Sequence, residues 1–247
     1  MNYINPHSWR CLLGKQSKNI IENNGLYQWS VGKRNHFCTN RDLTIEEVKN
    51  FGETNFHYLS KDNCELIKQY HKVSRAKNTA TTIDLTQLSL IGNANKSLRY
   101  AVNKGLSYKL AVEDNFRYIE DVEVMINEWS NVLAVKYFRD NSGKNTYFFK
   151  NNFHKDCHSV FLYDKDVLVA FGAASPEVNG YSSYILGKAL CNKYYGLSEY
   201  ADLILYQKCM YNGIKIIDLG QTTGGMEFYK NKFSGSDSYE YYNGKVL

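Results

Sequence analysis

Hydrophobic and polar residues follow clear periods in the second half of the chain. Two apolar runs, 158–163 and 167–174, flank an Asp-Lys-Asp turn and predict a β-hairpin. Residues 181–189 and 214–219 predict two more strands, and 199–211 predicts a helix between them. Six apolar residues recur at steps of three and four and predict a long amphipathic helix: Ile119, Val122, Ile126, Trp129, Leu133 and Tyr137. This mixture of strands and helices indicates an α/β fold with a mixed sheet.

Shorter elements surround these. A basic helix is predicted over 95–103 and is expected to end at Gly105, with a strand at 106–112 after it. A helical turn is predicted over 146–153 and a final strand over 238–242. A helix followed by three antiparallel strands and then alternating helices and strands is the element order of the GNAT acyltransferase fold, which on pattern alone is one α/β interpretation among several.

The first third of the chain is harder to interpret. Residues 26–31 and 35–38 predict a hairpin around Gly-Lys-Arg. The pattern Thr44-Ile-Glu-Glu predicts a capped helix start, because the threonine and the glutamate three residues later each bond the other's backbone. A strand is predicted over 56–59, and a helix from Ser60 or Asp62 to residue 73. The small, polar stretch 74–82 is the best candidate for a boundary, which divides the chain into a reduced α/β region, 1–80, and a larger unit, 81–247.

Composition narrows the class of protein. With 247 residues, 43% hydrophobic and 22% charged, the chain can bury a substantial core. We expect no transmembrane segment and a cytoplasmic location, because neither a bilayer-length apolar run nor a secretory start is present. The six cysteines show no C-x-x-C spacing, so we predict reduced thiols and no metal site. The net charge of +5 favours a phosphate-bearing partner without choosing among coenzyme, RNA and anionic lipid.

Four segments in order carry a resemblance to a known family. The helix Asn95-Lys-Ser-Leu-Arg-Tyr-Ala-Val-Asn-Lys-Gly-Leu resembles the element that opens the catalytic half of FemABX-type transferases, also found in phosphatidylglycerol lysyltransferase C-terminal domains. Gly196-Leu-Ser-Glu-Tyr, followed by Gly213-Ile-Lys-Ile-Ile-Asp-Leu-Gly, resembles that family's central helix and strand. Phe228-Tyr-Lys-Asn-Lys-Phe is similar to its ending, which related GNAT-like proteins share. The resemblance covers roughly residues 82–242.

The resemblance implies a GNAT-like fold with a complete C-terminal unit and a reduced or degenerate N-terminal α/β partner. It also implies transfer of an acyl or aminoacyl group, with acyl-CoA or aminoacyl-tRNA as co-substrate and no permanently bound cofactor. Two departures matter. The usual pyrophosphate loop of acetyl-CoA enzymes is replaced by Asn192-Lys-Tyr-Tyr-Gly-Leu-Ser, and the membrane segments of full lysyltransferases are absent from this sequence. Donor and acceptor therefore stay open, the acceptor being a small molecule, a peptide or a lipid headgroup.

Three residues are candidates for catalysis. Asp218 ends a buried strand, where a carboxylate needs a partner, so it could orient a nucleophile, act as a base, or only cap the next turn. The resemblance implies that Lys230 contacts a donor phosphate or the developing oxyanion. The alternative is that Lys230 lies on a solvated helix face. Tyr184 is a candidate proton donor or stacking partner among 21 tyrosines.

A second group of residues is predicted to bind the donor. Arg99 and Lys96 share one side of a short helix, where they could grip a phosphate or form an ordinary surface cluster. Lys232 belongs to the same group, with a solvated face as its alternative. Four glycines could bring backbone close to a ligand or form plain turns: Gly196, Gly220, Gly224 and Gly225.

These observations favour an enzyme that transfers an acyl or aminoacyl group to an amine or hydroxyl. The attack would be direct, within a ternary complex, because no Ser/Cys–His nucleophile pair is apparent. The alternative is a non-catalytic GNAT-like module that binds RNA or a protein. An open cleft that holds both Lys230 and Asp218 would favour the enzyme, and a filled cleft would favour the module.

Overall fold

A computed structural model describes residues 17–132, 142–177, 179–221 and 226–247. Of the predicted positions, Leu133 and Tyr137 of the long helix and Gly224 and Gly225 of the donor site lie outside the described residues. The strands of the described part form one mixed sheet in the order β1-β2-β3-β4-β11-β5-β10-β9-β8-β7-β6. The mixed α/β class predicted from the sequence is confirmed.

The strands are β1 Ser17–Asn23, β2 Leu26–Val31, β3 Arg34–Thr39, β4 Thr54–Leu59, β5 Val73–Asp84, β6 Ala111–Glu113, β7 His158–Asp164, β8 Val167–Ala174, β9 Tyr181–Ala189, β10 Ile216–Gln221 and β11 Ser236–Val246. The helices are α1 Ile45–Lys49, α2 Lys61–Tyr70, α3 Lys96–Ser107, α4 Ile119–Asn131, α5 Ser142–Lys150, α6 Leu197–Tyr211 and α7 Met226–Lys230. Short 3₁₀ turns cover Leu85–Gln87 and Phe153–Asp156.

Local sequence signals in the first third are confirmed. The β2–β3 hairpin forms around Gly32, whose φ of +60° lies in the left-handed region that glycine tolerates. At the start of α1, the Thr44 hydroxyl accepts from the Glu47 N–H at 3.2 Å, and the Glu47 carboxylate accepts from the Thr44 N–H at 2.8 Å. The helix predicted from Ser60 or Asp62 begins after Ser60, whose hydroxyl caps it through the N–H of Asn63.

The polar stretch 74–82 is not a linker. It forms most of β5, which lies between β11 and β10 in the middle of the sheet. The last strand, predicted over 238–242, extends over 236–246 and pairs with β5 along its whole length and with β4. Sheet pairing satisfies the backbone of these polar residues, a long-range effect that their composition does not reveal. The division into 1–80 and 81–247, which falls within β5, stays a prediction.

The second half matches the predicted order with three local differences. The hairpin β7–β8 and strand β9 are confirmed. The helix expected to end at Gly105 continues to Ser107, so the strand expected at 106–112 is reduced to the three residues of β6. Gly105 lies inside α3 at the contact with α6. A Cβ at this position would lie 2.5 Å from the Cβ of Tyr200, so the glycine allows the two helices to come this close. The helical turn predicted at 146–153 is present and longer than expected, as α5 and the second 3₁₀ turn.

Two hydrophobic clusters cover opposite faces of this half of the sheet. One is formed by α3 and α6, with Leu98, Val102 and Leu205 buried against the strands. The other is formed by α4 and α5, whose buried residues include Met125 and Phe149. Helices on both faces therefore hold β7 to β10 in place. Within the described ranges, no helix has the length and apolar character needed to cross a membrane.

Candidate active site

A cavity opens where two parallel strands separate. β9 and β10 pair only through residues 181–183 and 216–218. Beyond Ser183 and Asp218 the strands diverge, and a cavity of about 540 Å³ lies between them. Its walls come from β9, the end of β10, α4, α6 and α7: Trp129, Tyr184, Ile185, Leu186, Gly187, Lys188, Ser198, Asp202, Tyr206, Leu219, Gln221, Tyr229 and Lys230. The backbone thus provides an open cleft rather than a filled one.

A buried carboxylate with two tyrosine donors forms one wall of this cavity. Asp202 lies in α6 and is 5% exposed. Its Oδ1 accepts from the Tyr184 hydroxyl at 2.8 Å, and its Oδ2 accepts from the Tyr229 hydroxyl at 2.6 Å. The Ser198 and Tyr229 hydroxyls are 2.8 Å apart, one helical turn before Asp202. A continuous hydrogen-bonded chain therefore leads from Ser198 through Tyr229 to Asp202.

Burial controls the protonation of this carboxylate. Removal from water raises the pKa of Asp202 to about 6, and the hydrogen bonds from Tyr229 and Tyr184 oppose that rise. Nearby Glu199 raises this pKa as well, whereas Lys188 lowers it. A carboxylate with a pKa near 6 is ionised at neutral pH yet basic enough to accept a proton, which is the property required of a general base.

Lys188 places a cation on the cavity wall. Its ammonium lies 4.4 Å from the centroid of the Trp129 ring and donates to the carbonyl oxygen of Gly187 at 3.1 Å. Burial lowers the pKa of Lys188 to about 8, and the charge of Asp202 opposes that shift. The side chain is therefore mainly protonated at neutral pH and is positioned to interact with an anionic group in the cavity.

Lys230 also lines the cavity, but its ammonium is engaged with backbone. It donates to three consecutive carbonyl oxygens at the end of β10, at 2.7, 2.8 and 2.7 Å: those of Leu219, Gly220 and Gln221. Here the register of β10 against β5 shifts, and β9 has already moved away. Burial lowers the pKa of Lys230 to about 8. Lys230 thus supplies the donors that a neighbouring strand would otherwise provide, and it holds one edge of the cavity.

Asp218 lies away from the cavity. It is buried, and it accepts from the Tyr239 hydroxyl at 2.5 Å and from the Gly220 N–H at 2.6 Å. Burial raises its pKa. Its neighbours in the strand, Ile217 and Leu219, pack in the α6-side cluster, so alternation directs Asp218 to the opposite face. Of the three residues predicted for catalysis, Tyr184 and Lys230 share the cavity and Asp218 does not.

The predicted donor-binding residues are spread over several places. Arg99 donates to the carbonyl oxygens of Leu90 and Gly92, at 2.6 and 3.1 Å, and ties the preceding loop to α3. Lys96 is exposed on α3. Lys232 forms a 2.7 Å ion pair with Glu199 in the first turn of α6. Their proposed contacts with a donor stay predictions.

Two predicted glycines have identifiable backbone roles. Gly196 has a φ of +77° and caps α6, and a Cβ there would lie 2.1 Å from the carbonyl oxygen of Ala101. This glycine allows α3 and α6 to touch at the backbone. Gly220 has a φ of +68° and contributes a carbonyl to Lys230. Direct contact of either glycine with a donor stays a prediction.

The prediction from sequence missed Lys188, Ser198 and Asp202. The signal for Asp202 was an acidic residue in a mainly apolar helix, four residues after Ser198 and four before Tyr206, a spacing that places the three side chains on one helix face. Lys188 carries no comparable signal, because a register shift in β9 just after Tyr184 places Lys188, which pairs with Phe171, on the opposite face of the sheet from Tyr184. That both side chains border one cavity depends on the divergence of β9 from β10.

Solved structures confirm the fold. L-PGS from Bacillus licheniformis aligns with a TM-score of 0.70 and 13% identity, over 99% of this chain and 88% of that one. The C-terminal domain of a candidate lysylphosphatidylglycerol synthetase from Agrobacterium fabrum gives 0.69 and 13%, over 99% and 88%. FemX gives 0.56 and 9%, over 97% and 91%. No protein-family profile and no curated protein sequence matches the chain. The GNAT-like and FemABX-like fold that the sequence motifs implied is therefore confirmed.

Proposed function

We propose that this protein transfers an acyl or aminoacyl group from an activated donor to an amine or hydroxyl acceptor in the cavity between β9 and β10. The donor is an acyl-CoA or an aminoacyl-tRNA. The acceptor attacks the donor carbonyl directly, without a covalent enzyme intermediate. The fold shared with FemX and L-PGS supports this class of reaction. The site must hold two substrates together, take up a proton and stabilise a developing oxyanion.

The hydrogen-bonded chain from Ser198 through Tyr229 to Asp202 is the observation that carries this proposal. As the acceptor forms its bond to the carbonyl carbon, its proton passes to the Ser198 oxygen. Ser198 gives its own proton to Tyr229, and Tyr229 gives its proton to Asp202. The 2.8 and 2.6 Å separations permit the two transfers between protein groups, and the pKa of Asp202, about 6, makes it a suitable final acceptor at neutral pH.

Lys188 is the proposed electrostatic partner of the tetrahedral oxygen. Attack converts the neutral carbonyl oxygen into an oxyanion, and a cation in a partly desolvated cavity stabilises that charge more than it stabilises the ground state. The Trp129 ring holds the ammonium at the cavity wall. Lys230 acts through the backbone, because its contacts with β10 carbonyls preserve the cavity edge. Breakdown of the intermediate re-forms the carbonyl and breaks the bond to the donor. The coenzyme leaves as its thiolate, whereas the tRNA oxygen leaves as a hydroxyl by taking the proton stored on Asp202, returned through Tyr229 and Ser198.

The proposed acceptor is a hydroxyl or an amine, and its identity is left to experiment. The name of the Agrobacterium fabrum protein points to a lysyl group joined to phosphatidylglycerol, so a lipid-headgroup hydroxyl is one acceptor to test. Small-molecule and peptide amines are the others. The criterion that the sequence set for an enzyme is met in part: the cleft is open and contains Lys230, whereas Asp218 lies on the other face of the sheet.

The pH dependence of kcat/KM tests the roles of Asp202 and Lys188. Asp202 must be ionised to accept a proton, so activity rises as the pH increases through about 6. Lys188 must be protonated to stabilise the oxyanion, so activity falls as the pH increases through about 8. We expect a bell-shaped profile with its maximum near pH 7. Lys188→Arg should remove the alkaline limb, and a wild-type profile that is flat from pH 5 to 9 would contradict both assignments.

Removal of the proton acceptor provides the direct test. Donors are acyl-CoAs and charged tRNA, acceptors are amines, peptides and phosphatidylglycerol vesicles, and the readout is product formation. Asp202→Asn should lower kcat by about 10²–10⁴-fold, the usual contribution of a general base. Asp166→Asn is the control, because that carboxylate is on the exposed β7–β8 turn. Full activity in Asp202→Asn would reject the mechanism. Donor binding by wild type without transfer to any acceptor would favour the non-catalytic module.

A further inference from the structure

The solvent-facing side of α3 carries basic and aromatic residues together. Lys96, Tyr100 and Lys104 recur every four residues and are exposed. Tyr100 is 63% exposed and lies 5.9 Å, centroid to centroid, from Tyr195, which is 57% exposed. We call these four residues the α3 face. Two large aromatic rings side by side on the surface, with a lysine one turn to either side, provide stacking area and positive charge in one place.

The charge of this face is not balanced by its own segment. The sequence from Leu85 to Val112 contains four basic residues and no aspartate or glutamate. Of its basic side chains, Arg99 is directed to backbone carbonyls, whereas Lys96 and Lys104 lie on the exposed side. Lys104 also lies 5.5 Å from the centroid of the Tyr108 ring. Nearby Lys193 is paired with Glu128 on α4, so the unbalanced charge is concentrated on α3.

The α3 face lies beside the start of α6, a helix that also lines the candidate active site. Gly196, the residue after Tyr195, touches the backbone of α3 at Ala101. Ser198, two residues further along, lines the cavity. Tyr195 precedes the cavity-lining Ser198 by three positions, so a ligand held on Tyr100 and Tyr195 would lie beside the end of α6 at which the proton-transfer chain begins.

We propose that the α3 face binds the adenosine-containing end of the donor, with adenine stacked on Tyr100 and Tyr195 and phosphates beside Lys96 and Lys104. This assignment rests on the proposed function. Acyl-CoA ends in a phosphorylated adenosine, and the acylated end of a tRNA is also an adenosine, so one surface suits the chemistry of both. Stacking accounts for the aromatic pair, and phosphate neutralisation accounts for the lysines.

Binding is measured by fluorescence anisotropy with two probes, a labelled CoA and a labelled single-stranded RNA that ends in CCA. Tyr100→Leu and Tyr195→Leu should each weaken binding of the recognised probe by about 5-fold or more, as loss of base stacking on an aromatic ring does. Lys96→Gln and Lys104→Gln should each reduce the slope of log Kd against log salt by about 1. The probe that responds identifies the source of the adenosine.

Matched controls separate this surface from general effects of charge and aromatic content. Tyr211 is 93% exposed at the far end of α6, and Lys33 is exposed on the β2–β3 turn. Tyr211→Leu and Lys33→Gln should leave affinity and salt slope unchanged. Equal losses in the control and α3-face variants, or no loss in the α3-face variants, would overturn the proposal.

Failure of this proposal can be distinguished from failure of the proposed function. If Asp202→Asn abolishes transfer while the four α3-face variants bind both probes normally, the catalytic proposal stands and the α3 face is not the nucleotide site. If wild type binds neither probe at low salt, the α3-face proposal is rejected and so are both donors of the proposed function.

Discussion

Replacement of Gly187 by alanine tests the geometry of the cavity without any substrate. Gly187 lies in β9, and Tyr184 crosses over it to reach Asp202. A Cβ at position 187 would lie 1.7 Å from the Tyr184 hydroxyl oxygen and 2.8 Å from its Cζ. The tyrosine must therefore move, and its 2.8 Å hydrogen bond to Asp202 is lost.

The cost follows from the buried charge that this hydrogen bond satisfies. A hydrogen bond to a charged group contributes about 1.5–3 kcal/mol. Alanine offsets about 0.5–1 kcal/mol of that loss, because it has less conformational freedom than glycine in the unfolded chain. Gly187→Ala should therefore reduce the free energy of unfolding by about 1–2 kcal/mol. For a chain of this length, the expected fall in Tm is about 2–8 °C.

Chemical denaturation and thermal unfolding at pH 7.5 measure this change. Gly52→Ala is the matched control, because a Cβ at Gly52 meets no atom of the described structure within 4 Å. The control should change stability by less than about 0.5 kcal/mol. Tyr184→Phe removes the same hydrogen bond, so the double variant with Gly187→Ala should show less than additive losses. A Gly187→Ala protein as stable as the Gly52→Ala control would refute the reasoning.

Three further substitutions test other contacts. Gly196→Ala should lower the free energy of unfolding by about 2–5 kcal/mol, because it combines strain of the left-handed backbone with overpacking against Ala101. A loss below about 1 kcal/mol in a denaturation experiment would contradict the close contact between α3 and α6. Burial lowers the pKa of His57 to about 4, so between pH 6.5 and 4 the unfolded chain binds more protons than the folded protein, and the free energy of unfolding falls as the pH drops through that range. His57→Phe should flatten this dependence in denaturation experiments at several pH values. An unchanged slope of unfolding free energy against pH would contradict the assignment. Thr44→Ala should cost about 1 kcal/mol through loss of the cap shared with Glu47, and no change in stability would show that this cap contributes nothing.

Elements with strong local signals could be predicted from sequence. The capping box at Thr44 and the turn between β7 and β8 depend on neighbours within a few residues, and both are present as predicted. The polar strand β5 could not be predicted, because its pairing partners are the distant strands β10 and β11. Gly105 was misjudged for the same reason, since it permits a contact with α6 and does not end α3.

The amino-acid sequence by itself determined the α/β class, most of the strands and helices of the second half, and the motifs that resemble FemABX-type transferases. These properties arise from periodicity, capping and turn chemistry, which act over a few residues. Only the tertiary structure decided which polar side chains meet. Tyr184, Asp202 and Tyr229 come from three separate elements, and they converge because β9 and β10 stop pairing after three residue pairs. Tertiary packing likewise decided which face of β10 borders the cavity, and alternation along the strand then leaves Asp218 on the other face.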